Sequence, residues 1–327
     1  AKTESNFDFF PLTIEFQEKF YSVGRIHGGF FKKEARPTEW ATLNARMVDR
    51  PLRPLFPETF RRETQVVFTL LSYDGENEVE SIAGLGASAA LYISDMPFTT
   101  PIATVRVGRV DGEFVLNPTL ADLEKSDISV LVSGTKEAIV MVEGGAEKVS
   151  EDDFLESLLF AHEEIKKIVE IQEELRSKVG KEKFEALPAE NNEELEAQVK
   201  ELTWEKIRTA LGVRDKAERY AALDEVKAEL VEHFTKQWEQ DEDAAEKLAK
   251  LPGVFGDVKW HCARDITINS GKRIDGRDYD EVRAIETEVS LLPRVHGSAL
   301  FTRGETQALA TVTLGTSDDE QTIDSVK

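Results

Sequence analysis

Apolar and polar positions alternate from Leu12 to Phe16, just after Phe9-Phe10-Pro11. That period predicts a strand, and the proline places its start or the sheet edge nearby, because proline has no N–H to give to a ladder. Residues 21–34 hold Gly24, Gly28 and Gly29 and read as loop. From Thr38 the period lengthens. Trp40, Leu43, Met47 and Val48 share one stripe, predicting a helix over Thr38–Asp49 with Thr38 as N-cap, ended by Pro51 and Pro54. Gln65–Tyr73 is an apolar run that predicts a buried strand. Asp74–Asn77 reads as a turn, and Glu78–Ser94 as a helix rich in small residues. Strands follow at Ile102–Val110 and Glu113–Leu116, joined by the hairpin dipeptide Asp111-Gly112. Asp127–Ser133 and Ala138–Glu143 predict a second strand pair, closing a mixed domain near Gly145.

The pattern changes at Ser150. Ser150-Glu-Asp-Asp153 resembles a capping box, and Phe154, Leu155, Leu158, Leu159, His162, Ile165, Ile168, Val169 and Leu175 trace a helical stripe ending near Gly180. Helical periodicity with dense Glu and Lys continues over 190–250, and Pro252-Gly253 predicts its end. Strand patterning returns after Ile268, with a hairpin of Ser298–Thr302 and Thr306–Leu314 around Arg303-Gly304-Glu305. The expected fold class is α+β, with three parts: 1–149 mixed, 150–252 helical, and 253–327 the opening of a third. One hairpin cannot bury a core alone, so the third part is expected to be cut short or to complete itself elsewhere.

Charge modifies this picture. The 327 residues carry a net charge of −22, which taken alone argues against a polyanionic ligand. The charge is unevenly spread. Arg25–Arg62 holds nine Lys/Arg against four Asp/Glu, whereas Glu151–Lys250 holds 16 against 28. A local basic surface therefore survives in an acidic chain. No run is long and apolar enough to span a membrane, and the polar start lacks the apolar stretch of a signal peptide. The single cysteine, Cys262, rules out an internal disulfide framework, fits a reducing compartment and reads as an inert thiol.

Three motifs carry candidate chemistry. In Gly28-Gly-Phe-Phe-Lys-Lys-Glu-Ala-Arg-Pro37, adjacent side chains of an extended loop diverge, so Phe30 and Phe31 cannot both enter a core. An outward aromatic is a stacking platform for bases, with Lys32, Lys33 and Arg36 beside it for phosphates. The alternative is one ring plugging the core beside solvated lysines. Arg46 and Arg50 lie four apart on one helix face, with Arg53 beyond the break. They suit phosphate through the guanidinium fork, or a salt-bridge network with Asp49 and Glu58. Gly84-Leu-Gly-Ala-Ser-Ala89 matches a dinucleotide fingerprint in form, but its glycines fall inside a predicted helix. That placement favours close helix–sheet packing over cofactor binding. The five histidines show no metal-ligand spacing, and there is no nucleophile elbow or EF-hand loop.

Gly29-Phe-Phe-Lys-Lys-Glu-Ala-Arg-Pro-Thr-Glu39 and Arg46-Met-Val-Asp-Arg-Pro-Leu-Arg-Pro-Leu-Phe-Pro57 resemble the first RNase PH-type domain of the polynucleotide phosphorylase family. Asp8–Thr13 and Ile82–Leu91 resemble the same domain. Gly271-Lys-Arg-Ile-Asp-Gly-Arg277 and His296–Gln307 resemble the start of the family's second such domain, with a helical linker domain between them. The resemblance covers essentially the whole chain. It implies an RNase PH-like fold (ribosomal protein S5 domain 2-like) and a phosphorolytic 3′-to-5′ exoribonuclease acting in mRNA degradation. In that activity inorganic phosphate releases nucleoside diphosphates from an RNA 3′ end, and the reverse reaction polymerises them. It further implies Mg²⁺, a homotrimeric ring threaded by RNA, partners in an RNA-degradation complex, and a bacterial cytoplasmic location, with an organelle as the alternative.

In that picture Phe30 and Phe31 form an aromatic constriction. Lys32 and Lys33 stand where many members carry Arg-Arg, and Arg36 contacts RNA or phosphate. Arg303 sits near the second domain's active site. The first domain's opening strands, the serine-rich phosphate loop, the magnesium-binding aspartates and the KH and OB-fold domains are expected outside this sequence. The fragment would then supply RNA path and assembly surface and be inactive alone. The competing readings are a non-catalytic RNA-binding or ring-scaffold module, and a protein-interaction module built on the acidic helices.

Overall fold

The computed structural model describes residues 9–27, 36–185, 192–241, 243–320 and 326. They fall into two compact units, 1–189 with 322–327, and 190–321.

In the first unit β1 (Leu12–Glu18) pairs in parallel with β2 (Thr64–Leu70), Phe16 opposite Phe68. Parallel neighbours need a long crossover, and α1 (Glu39–Leu52) supplies it. Thr38 caps α1 as predicted: its hydroxyl accepts from Ala41 N–H at 3.0 Å. The helix runs through Pro51 to Leu52, because a proline near a helix end forfeits only one bond and Leu52 is fully buried. Beyond it Phe10, Phe56, Phe60 and Phe98 pack with ring centroids 4.6–5.7 Å apart. Phe56, near the end of the arginine-rich motif, is therefore core, with Leu55 partly buried against it.

The two predicted strand pairs form one antiparallel sheet, in the order β4 (Glu113–Leu116), β3 (Ala103–Val110), β5 (Ile128–Gly134), β6 (Ile139–Ala146). Asp111 and Gly112 turn the first hairpin with φ of 53° and 84°, the left-handed pair this dipeptide favours. α2 (Glu80–Ile93) lies against β3. A Cβ on Gly84 would stand 2.8 Å from Thr104 Cβ, so the glycine exists for close approach, as its place in the predicted helix suggested.

The next helix, α3 (Glu151–Val179), departs from the sequence reading, which assigned it to a helical domain beginning at 150. Its buried face is Ser157, Ala161, Ile165, Val169 and Gln172, packed on β3 and β5. Leu155, Leu159 and Leu175 of the predicted stripe lie outward. Apolar residues run along both sides of this helix, with Ser157 and Gln172 on the buried one, and periodicity alone could not choose between them. Ser150 caps it, accepting from Asp153 N–H at 3.1 Å. Asp153's own carboxylate meets Arg109 of β3, at 3.1 Å.

Arg109 also grips Asp127 through two bonds. These contacts hold both carboxyls below the usual range, chiefly through hydrogen bonds from the guanidinium. A depressed folded pKa contributes stability above the ordinary carboxylate value that disappears as pH falls through the depressed one. The expected result is acid loosening of the α3 start from the sheet below about pH 4. Arg109→Met should remove that component from melting temperatures followed against pH.

The second unit contains α4 (Glu193–Leu211), α5 (Lys216–Gln237) and α6 (Ala244–Ser270). α6 corrects the predicted stop at Pro252-Gly253, since it continues for 17 residues beyond Gly253. An interior proline costs about 3 kcal/mol. Leu251, Val254, Phe255, Val258 and Cys262 are all buried along one face, and each of the first four contributes roughly 1.5–3 kcal/mol by its burial. Both Pro252 and Gly253 sit on the exposed side. The unit ends in a three-stranded antiparallel sheet, β7 (Ile285–Val289), β8 (Gly297–Arg303) and β9 (Thr306–Val312). Gly304, with φ of 59°, turns the predicted β8–β9 hairpin.

Candidate nucleic-acid interface

Phe30, Phe31, Lys32 and Lys33 lie outside the described residues. The structure begins again at Arg36, which is exposed just before the Thr38 cap. Thr38 also donates to Glu18 Oε2 at 2.5 Å, tying the start of α1 to the end of β1. Burial pushes the Glu18 carboxyl up, against the lowering effect of the Thr38 bonds. Among the described residues its second oxygen has no hydrogen-bond partner, and neither do Ser22 Oγ, both His27 ring nitrogens or Trp40 Nε1. His27 packs edge-on against Phe20 at 4.6 Å, and Trp40 against Phe16 at 5.5 Å.

The three arginines of the α1 ladder separate in role. Arg46 is exposed and, among the described residues, makes no ion pair or hydrogen bond. Arg50 is half exposed and meets Glu143 of β6, itself 48% exposed. A pair that open to water is worth about 0–1 kcal/mol, so a phosphate can compete for Arg50. Arg53 is differently employed. It donates to both Asp49 oxygens, at 3.0 and 2.7 Å, and to the carbonyls of Phe10 and Leu12, at 2.9 Å each. Four of its five N–H donors are thus engaged in holding the entry to β1 against α1. The network with Asp49 exists for Arg53, while Glu58 offers only its carbonyl, to Arg61.

In the second unit Arg303, at the end of β8, lines a cavity of about 240 Å³. Its other walls are Arg273, Arg277, Asp280, Glu281, Val282 and Arg283. Four guanidinium groups face two carboxylates, so the lining attracts anions. Arg277 is fixed by Asp275, at 3.0 and 2.8 Å, and by the Glu281 carbonyl at 2.8 Å. The sequence reading named only Arg303 here. The repeated basic spacing of Lys272-Arg273, Arg277 and Arg283 was the signal, but 20 residues separate Arg283 from Arg303, and only the sheet brings them together.

Gly84 and Gly86 both lie inside α2, and of the two only Gly84 packs closely, against Thr104. Burial pushes the Cys262 thiol up, which disfavours the thiolate. Among the described residues, no three His, Cys, Asp or Glu side chains are grouped to hold a metal ion. No helix among them is long and apolar enough to cross a membrane.

Comparison with known proteins locates these features. The family profile described as "3' exoribonuclease family, domain 1" matches residues 1–97 and 281–327. "3' exoribonuclease family, domain 2" matches 100–164. "Polyribonucleotide nucleotidyltransferase, RNA binding domain" matches 194–278. Curated proteins named polyribonucleotide nucleotidyltransferase align over nearly the whole chain. The protein of Geotalea uraniireducens is 49% identical over 98% of this chain, that of Geotalea daltonii 50% over 98%, and that of Bdellovibrio bacteriovorus 47% over 100%. The chain spans 45–47% of the length of these relatives. A solved structure titled as rice (Oryza sativa) Rrp46 superposes with a TM-score of 0.43, at 12% identity, over 54% of this chain and 78% of its own.

Proposed function

Because the chain belongs to the polyribonucleotide nucleotidyltransferase family, we propose that the whole protein shortens RNA from its 3′ end by phosphorolysis. An oxygen of inorganic phosphate bonds to the phosphorus of the terminal phosphodiester. The 3′ oxygen of the preceding nucleotide leaves with the electron pair and takes a proton. The product is a nucleoside diphosphate, and the reverse reaction extends RNA. The observation that carries this reading is the succession of three family profiles along one chain, with about half of all residues identical to the curated relatives.

The residues on this chain support binding and guidance. Arg36, Arg46 and Arg50 offer an exposed basic edge on the first unit, and Phe30, Phe31, Lys32 and Lys33 belong to the same stretch of sequence. The cavity of Arg273, Arg277, Arg283 and Arg303 offers a second place for phosphate. We retain the order of parts read from the sequence, with α3 placed in the first and α6 closing the helical one. Magnesium would supply charge neutralisation at the phosphates, but no group of side chains among the described residues fits a metal site. A homotrimer, partners in an RNA-degradation complex and a cytoplasmic location complete the proposal.

The test is direct. Full-length protein with a polyadenylate substrate should release ADP only when inorganic phosphate and magnesium are both supplied. Release of AMP without phosphate would replace phosphorolysis by hydrolysis. RNA binding without release of any nucleotide would leave a binding or scaffold module.

A further inference from the structure

Four tryptophans occur in the chain, and three are packed. Trp40 lies against Phe16 and Tyr73, Trp204 joins the core of the helical unit, and Trp238 is 9% exposed. Trp260 is different: it is 56% exposed on α6. Arg264, one turn on, lies over its ring at 5.3 Å, and His261 meets it edge-on at 4.9 Å. Ile268, a further turn along, is 65% exposed. These residues stand opposite the buried stripe of Val254, Val258 and Cys262. The core therefore does not explain them.

Helical spacing places Trp260, Arg264 and Ile268 on one face, at i, i+4 and i+8. A large aromatic held open to water beside a guanidinium is what a stacked base uses. The ring supplies a π-face and the cation supplies attraction to the neighbouring phosphate. Charge agrees. α4 has three Lys/Arg against five Asp/Glu and α5 four against five, while α6 has four against three. Asp265, the nearest acid to Arg264 in sequence, accepts from Asn269 at 2.8 Å. Asp257, one turn before Trp260, is the acid that remains on this side. The profile that covers the segment is described as an RNA binding domain.

We propose that the outer face of α6, with Trp260 as its platform and Arg264 as its cation, is a binding site for single-stranded RNA. A base stacks on the open indole, and the guanidinium holds the adjoining phosphate. This rests on the reading of the whole protein as an RNA-degrading enzyme. It adds a contact in the helical unit, separate from the arginine edge of the first unit.

The experiment uses the full-length protein and a fluorescent oligouridylate of about 20 nucleotides, long enough to reach beyond a single site. Affinity is read by anisotropy, and molecular mass by sedimentation. Trp260→Ala should weaken binding about tenfold, while Trp260→Phe, which keeps a ring, should stay within about twofold of the parent. Arg264→Gln should weaken binding and lower the slope of log affinity against log salt by about 0.7. Parental affinity in Trp260→Ala would overturn the site. So would a change of molecular mass in that variant, which would make the face a protein contact. Phosphate-dependent ADP release by the parent protein is measured separately, so failure of the enzymatic reading is distinguishable from failure of this one.

Discussion

Gly84→Ala is expected to destabilise the protein by about 1–3 kcal/mol, the range for forcing extra volume into a packed core. The new Cβ would lie 2.8 Å from Thr104 Cβ and closer still to its hydroxyl. Thr104 cannot turn away freely. It is 4% exposed, and its Oγ1 shares a 2.8 Å hydrogen bond with Ser133 Oγ, which is fully buried. Either α2 lifts off β3 or that bond breaks. For a unit of this size the melting temperature should fall by roughly 2–10 °C. Gly86→Ala is the matched control. Nothing stands within 4 Å of the Cβ it would gain, and alanine is favoured over glycine in a helix by about 1 kcal/mol. The same substitution two residues apart should therefore act with opposite sign, read by thermal melts of the two variants. Equal losses at both positions would mean that the glycines serve something other than packing of α2 on the sheet.

That pair also shows what the sequence discloses. The helical period around Gly84, Gly86 and Ala89 is local information, and all three lie inside α2 as it predicts. Thr38, Asp111-Gly112 and Gly304 were legible for the same reason: a cap or a left-handed turn is fixed by one or two residues. The failures are all non-local. Pro252-Gly253 looks like a stop until one counts the side chains that α6 buries beyond it. α3 carries apolar residues on both sides, and only the sheet decides which is inward. The candidate site divides along the same line. Its basic character could be read from the charge between Arg25 and Arg62, but the occupation of Arg53 depends on carbonyls 41 and 43 residues away. The cavity around Arg303 depends on β7 and β8 pairing.

Arg53→Gln should lower stability by about 1–3 kcal/mol, because it leaves two main-chain carbonyls and the Asp49 carboxylate without their donor. The upper end is tempered by water, since the Arg53 side chain is 40% exposed. Arg46→Gln combined with Arg50→Gln should do the reverse. Arg46 has no partner to lose among the described residues, and Arg50 loses only its exposed contact with Glu143. Stability should stay within about 0.5 kcal/mol of the parent. RNA affinity should fall instead, and the salt slope should drop by about 0.7 for each phosphate contact removed from a single strand. Thermal melts and RNA titrations at several salt concentrations, on the full-length protein, separate the two roles. A variant at Arg53 that melts like the parent but binds RNA weakly would return that arginine to the interface. A double variant with parental affinity and salt slope would remove Arg46 and Arg50 from it, and the basic edge of α1 would then be only a solvated helix face.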